Sequence, residues 1–250
     1  MTKDDLFSKR IQELANMAYQ RGIVMFTDFL NLNELHMVNS RSYRELGITL
    51  QTGGGYEFAE RQIAAFIPDA LSFDWEYPIV CLHVQAKSPR FSEKLSHRDY
   101  LGSILGLGLE RSVLGDILVE EAGAYVFCLK RMSGYLMENL CSVRHTPVLT
   151  TMVTDPEDFP VPHLVPVQGT VASCRLDCLI ALAFRASRSS IVPLIEGGQV
   201  FVNGRMTTSN GYAPKEGDII SVRKMGRFQF DHVGGTSKKG RQQVFLYRYE

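Results

Sequence analysis

Residues 174–222 read CRLDCLIALAFRASRSSIVPLIEGGQVFVNGRMTTSNGYAPKEGDIISV. Leu176, Leu179, Ile180, Ala183 and Phe184 recur at helical spacing, which predicts a helix with one apolar stripe. Ser187 or Ser189 supplies a cap for a second helix. Ile191, Leu194 and Ile195 of that helix face inward, and Gly197-Gly198 ends it. Pro193 sits early in it, where the ring tightens the first turn or displaces it. A short strand follows at 199–202, Asn203-Gly204 is a tight-turn signal, and 219–222 returns as another strand. Two short helices on a small twisted sheet are therefore predicted, with Arg175, Arg185, Arg188 and Arg205 outside the apolar stripe or at its edge.

Charge sets this segment apart from what precedes it. The chain has 250 residues, and its 27 basic side chains equal its 27 acidic ones. Residues 1–169 hold 15 basic and 21 acidic side chains, a net of −6, whereas 170–250 hold 12 and 6, a net of +6. A polyanion feels the nearby field, because charges more than about 10 Å away are largely screened. The division falls at 151–169, which has four of the ten prolines and no lysine or arginine. Proline fixes φ and disfavours helix at the residue before it, so 153–169 is predicted to be an extended linker.

Further upstream the pattern changes twice. Phe7, Ile11, Leu14 and Ala18 mark an amphipathic helix over 4–22, capped at Asp4 or Asp5 and ended at Gly22. More helix is predicted over 31–46 and over 56–66, after Gly53-Gly54-Gly55, making 1–72 a mostly helical unit. Over 73–152 the reading is a strand at 79–85, a helix at 97–107, strands at 116–119 and 124–130, a helix at 131–140 and a strand at 143–153. That β-α-β-β-α-β order is the ferredoxin-like plait, a frame that hosts many functions. Tyr125, Phe127 and Leu129 share one face of the 124–130 strand, where RNA-recognition plaits stack bases; the basic-glycine-aromatic consensus of that module is missing here, so packing against the helices is expected. The fold class predicted is α+β, with a helical unit at 1–72, a plait at 73–152, a linker at 153–169 and a basic domain at 170–250.

Four submotifs in order make the basic domain recognisable. Arg175-Leu176-Asp177, Ser187-Arg188-Ser189, the run from Gly198 to Gly204 and the run from Gly217 to Val222 resemble the RNA-binding domain named after ribosomal protein S-four. The resemblance implies a helix pair that grips structured RNA, with Arg175, Arg185, Ser187, Arg188, Ser189 and Arg205 as contacts. That family often has a lysine after the Ser-Arg-Ser triplet, where this chain has Ser190. Forked guanidinium contacts to phosphate give affinity rather than sequence choice. Arg223, Lys224 and Arg227, then Lys238, Lys239 and Arg241 in a glycine-rich loop, extend the basic footprint.

Other motifs narrow the family. Gly54-Gly55-Tyr56 with Ala59-Glu60-Arg61, the run from Arg90-Phe91 through Ser96-His97-Arg98-Asp99 to Ser103, and Gly115-Asp116-Ile117-Leu118 are similar to the YlmH family of bacterial proteins. This resemblance implies a non-catalytic role in ribosome-associated quality control. The implied partners are rRNA of the large subunit, the peptidyl-tRNA it carries and the RqcH-type factor. An older association of the family is with cell division.

Competing readings are weaker. His97-Arg98-Asp99 echoes a kinase catalytic loop, but no glycine-rich phosphate loop or metal-binding Asp-Phe-Gly accompanies it, and a helix start capped by Ser96 explains it. His97 and Arg98 stand as a secondary RNA contact. Cys174 and Cys178, spaced for one helix face, lack two further ligands nearby, so no metal is expected. No cofactor is expected either. An RNA-modifying enzyme of pseudouridine-synthase type would use an Arg-Leu-Asp aspartate, and here that triplet opens the RNA-binding helix itself. A cell-division adaptor is the remaining alternative. With no apolar run near the roughly 18 residues that span a bilayer and no leader-like start, a cytoplasmic protein that binds no membrane is expected. Charge reversal at Arg175 and Arg188 is expected to weaken ribosome binding without unfolding the chain.

Overall fold

Thr2 starts the first helix, α1 (Lys3–Arg21), because its Oγ1 accepts from Asp5 N at 3.2 Å while Asp5 Oδ2 accepts from Thr2 N at 2.8 Å. Gly22 ends it at φ 63°, a left-handed cap that favours glycine. The computed structural model describes residues 2–88, 93–155, 158–159, 163–237 and 240–249. These fall into two units, Met1–Val161 and Pro162–Glu250, and the chain as a whole is α+β.

In the first unit, α1 is followed by β1 (Met25–Phe26), α2 (Leu32–Asn39), a single 3-10 turn, β2 (Ile48–Gly53) and β3 (Ile63–Pro68). The strands form a sheet in the order β1-β3-β2, covered by Ile11, Leu14, Ala15 and Ala18 of α1. The helix expected over 56–66 is absent, and the N-terminal part is a helix-on-sheet layer rather than a mostly helical unit. The reason is burial: every residue of β3 is buried, so its apolar run lacks the alternation that marks a half-exposed strand.

The plait comes next. β4 (Ile79–Ala86), α3 (His97–Gly106), β5 (Leu114–Glu120), β6 (Gly123–Leu129), α4 (Lys130–Asn139), β7 (Ser142–Val143) and β8 (Thr146–Val153) build a five-stranded sheet in the order β5-β6-β4-β8-β7. Leu82, Val84, Val126 and Cys128 of the central strands pack with Tyr100 and Ile104 of α3 and Leu136 of α4. Tyr125 and Phe127 do not join that core. Strand alternation turns them to the opposite face, where Tyr125 stacks on His83 at 4.4 Å and Phe127 on Tyr56 at 4.8 Å.

Asp116 and Arg61 tie the N-terminal layer to the plait. The Asp116 carboxylate accepts from Tyr56 Oη at 2.7 Å, Glu60 N at 2.7 Å and Arg61 N at 3.1 Å. The Arg61 guanidinium donates to the carbonyls of Leu114, Phe29 and Arg111. Burial, then the like charge of Arg61, pushes Arg111 down to about 10. The glycine-tyrosine and Gly-Asp motifs of the sequence thus meet in one structural joint.

The second unit begins with a strand where a linker was expected. β9 (Leu164–Val171) pairs along its whole length with the last strand, so the predicted 153–169 connector ends before Leu164. After β9 come α5 (Leu176–Ala183), α6 (Arg188–Glu196), β10 (Val200–Val202), β11 (Arg205–Met206), β12 (Ile219–Val222), β13 (Gly226–Thr236) and β14 (Gln242–Tyr249). The six strands lie in the order β11-β10-β12-β13-β14-β9. Pro166 is tolerated because β9 is an edge strand, paired on one side. Asn203 and Gly204 both have positive φ, 48° and 72°, as a two-residue hairpin turn requires. Among the described residues, no helix is long and apolar enough to cross a membrane.

Candidate nucleic-acid interface

The helix pair is positioned by local chemistry. Leu176, Leu179, Ile180 and Ala183 of α5 and Ile191 and Ile195 of α6 are buried on one face of the sheet, against Val200, Ile220 and Phe228. Ser187 caps α6, its Oγ accepting from Ser190 N at 3.2 Å. Between the helices Arg185 adopts φ 51°, and its side chain is exposed. Ser189 is exposed beside Ser187, with the two hydroxyls 3.0 Å apart. Cys174 lies before α5 rather than on it, and its Sγ donates to Gln242 Oε1 at 3.2 Å.

Asp177 organises the head of this pair. Its side chain is 1% exposed, and its oxygens accept from Arg175 Nε at 3.2 Å, Arg175 Nη2 at 3.4 Å and both Nε and Nη2 of Arg188. Burial of the carboxyl opposes ionisation, but the Arg188 hydrogen bonds and the two nearby cations prevail and hold it below the ordinary carboxylate range. The arginines are not consumed by this contact. Their side chains are 44% and 56% exposed, and each keeps Nη1 clear of the carboxylate. One anion and two cations leave a net positive charge of one, with forked donors turned to solvent.

This arrangement corrects the expected effect of charge reversal. A glutamate at 175 or 188 would face the buried Asp177 carboxylate, and a buried like-charge pair destabilises the fold. Reversal at those positions therefore confounds binding with stability, whereas Arg185 and Arg205 are exposed and, among the described residues, have no ion pair. In the pseudouridine-synthase alternative this aspartate would meet a substrate base; in the fold its side chain is 1% exposed and accepts from both guanidiniums.

The remaining basic residues divide between two places. Phe184, next to Arg185, packs edge-on against Phe228 at 5.8 Å, and a Cβ on Gly226 would meet it at 3.6 Å. The β12–β13 turn with Arg223 and Lys224 is thereby held at the same end as Arg185. Arg223 stands over the Phe201 ring at 5.5 Å, and Lys224 is exposed at φ 67°. Arg227 is in strand β13, not a loop, with its Cζ 4.5 Å from the Tyr249 ring centre. Arg241 is fixed to β9, donating from Nη2 to Thr170 O at 2.6 Å and from Nε to Thr170 Oγ1 at 3.3 Å. Arg205 lies on the edge strand β11. Lys238 and Lys239 are outside the described residues.

In the plait, His97 and Arg98 are exposed at the start of α3. Asp99 Oδ2 accepts from Ser96 N at 2.8 Å and Ser96 Oγ at 2.6 Å, so the kinase-like triplet is a helix start. Desolvation of the His97 ring and the Arg111 charge disfavour its cation, against the pull of Asp116. Among the described residues, no three His, Cys, Asp or Glu side chains are grouped to hold a metal ion.

Sequence comparison matches two family models to the chain. Residues 74–155 match the model described as "Putative RNA-binding domain in YlmH", and residues 174–220 match the S4 domain. A protein of Bacillus subtilis (strain 168) named ribosome-associated protein quality control protein P2 is 29% identical over 250 residues, covering 97% of this chain and 94% of that protein. Among solved structures, the cell division protein ylmH from Streptococcus pneumoniae superposes with a TM-score of 0.52 at 22% identity, covering 64% of this chain and 96% of that one. At that identity the likeness concerns the fold.

Proposed function

We propose that this chain, which matches the family models for the YlmH RNA-binding domain and the S4 domain, is a YlmH-type non-catalytic factor that binds the large ribosomal subunit and its peptidyl-tRNA. In this reading it acts in the cytoplasm, supporting quality control of stalled nascent chains beside an RqcH-type factor. The observation that carries the reading is the Asp177-centred pair of half-exposed guanidiniums at the head of α5 and α6. Two planar forks held by a shared carboxylate are ordered before binding, so little side-chain freedom is lost when they meet phosphate. Arg185 and the Arg223–Lys224 turn extend the cationic surface past the other end of α5. His97 and Arg98 serve as a lesser contact, because the His97 cation is disfavoured.

Co-sedimentation with large subunits across a salt series tests this. Binding through phosphates weakens steeply as salt rises, because counterions are released on association. Arg185→Glu and Arg205→Glu should reduce binding and flatten the salt dependence with the fold intact. Binding indifferent to salt, or unchanged in both variants, would overturn the assignment.

A further inference from the structure

The helix pair covers one face of the six-stranded sheet. Ile220, Phe228, Phe230, Val244 and Leu246 point into that core. Alternation puts their neighbours on the reverse face, and the register aligns them across strands. Gln229 lies opposite Tyr247, which lies opposite Pro166, and His232 lies opposite Phe245, which lies opposite Gln168. His232 and Phe245 stack at 4.4 Å with 12° between their planes. One residue pair further along, Arg227 sits over the Tyr249 ring at 4.5 Å. At the other end of β14, Arg241 is pinned to Thr170, whose strand partner is Gln243.

This reverse face carries a row of partly buried rings, Phe245, Tyr247 and Tyr249, with arginines at both ends. Strands β9, β13 and β14 lie outside residues 174–220, so the row is an addition to the matched S4 segment. An aliphatic protein partner would ask for a different surface. Aromatic rings interleaved with arginine and glutamine, in a region of 12 basic and 6 acidic side chains, suit a polyanion that carries flat rings. A sheet surface cannot enter the narrow major groove of A-form RNA, whereas unpaired bases can lie on its rings. We infer that the reverse face of this sheet is a second RNA site, which stacks unpaired bases on Phe245 and Tyr247 while Arg227 and Arg241 hold the backbone on either side. The inference rests on the RNA-binding reading of the chain and adds a site to it.

The test uses the full chain with Trp75→Phe and Tyr247→Trp, which moves the one tryptophan onto this face. An unpaired oligoadenylate of about 12 nucleotides should quench its fluorescence, and an abasic oligomer of equal length should not. Tyr247→Ala should weaken oligoadenylate binding about tenfold, in the range of one stacked base, while Tyr247→Phe keeps it. A hairpin duplex should bind Tyr247→Ala as it binds the parent, and should be the ligand that Arg185→Glu weakens. Absence of quenching, equal quenching by the abasic oligomer, or oligoadenylate affinity unchanged in Tyr247→Ala would overturn the inference. Loss of hairpin binding alone would instead count against the helix-pair reading.

Discussion

Replacing Asp177 by Asn keeps the shape of the side chain and removes the charge that two arginines share. The carboxylate is 1% exposed, while the guanidiniums it receives are 44% and 56% exposed and can rehydrate. A hydrogen bond to a charged group contributes about 1.5–3 kcal/mol, and solvent screening of the exposed partners keeps the total near one such bond, about 2 kcal/mol. A loss of that size accelerates amide exchange in α5 and α6 about 30-fold where exchange follows opening. The effect on RNA runs against simple electrostatics. Removing an anion about 7 Å from a phosphate gains about 0.6 kcal/mol in water by Coulomb's law. Releasing two ordered arginines costs about 0.5–1.5 kcal/mol each on binding. The net is weaker binding by about 1.5 kcal/mol, or roughly tenfold. Exchange by mass spectrometry and affinity for a hairpin RNA report both quantities. Unchanged protection, or binding that tightens as the net charge becomes more positive, would refute the positioning role of Asp177.

Acid should act through the same residue. The Asp177 carboxyl is held below its ordinary range in the folded chain, so the unfolded chain takes up its proton first as pH falls. Its contribution is complete at neutral pH, declines once pH drops below about 3.9 and is lost through the lowered folded value, so acid melts of Asp177→Asn should lack that part of the fall. Arg61→Gln should destabilise the first unit by about 2–4 kcal/mol in urea melts, because the Phe29 and Arg111 carbonyls lose their guanidinium donor and the Leu114 carbonyl keeps only that of Arg111. A milder loss there would mean that the joint with β5 is not held by Arg61. Gly54→Ala puts a Cβ 2.2 Å from the Ala59 Cβ and 2.5 Å from the Arg61 carbonyl, so a cost of at least about 1–3 kcal/mol is expected in the same melts. An unchanged midpoint would show that the turn can shift.

The helix pair was legible in the sequence because its signals are local. A serine cap, a glycine pair and an Asn-Gly turn each act within a few residues, and the structure places α6, its end and the β10–β11 hairpin at them. Segments whose state depends on distant partners were misread. β3 is an unbroken apolar run because both its faces are buried, and β9 carries Pro166 because one of its edges is unpaired. The same limit applies at the site. The arginines were visible as cations outside an apolar stripe, but Asp177 was read only as part of a motif, since its link to Arg188, eleven residues away, exists only in the fold. The alternation from Val244 to Tyr249 held the one available hint of the aromatic reverse face.

Cryo-electron microscopy of the protein on large subunits that carry obstructed nascent chains tests the central claim most directly. The outer edges of Arg175 and Arg188 should lie within hydrogen-bond reach of rRNA or tRNA phosphates, with the Asp177 contacts kept behind them. A bound protein whose α5 and α6 face solvent or protein, with RNA held elsewhere, would contradict it.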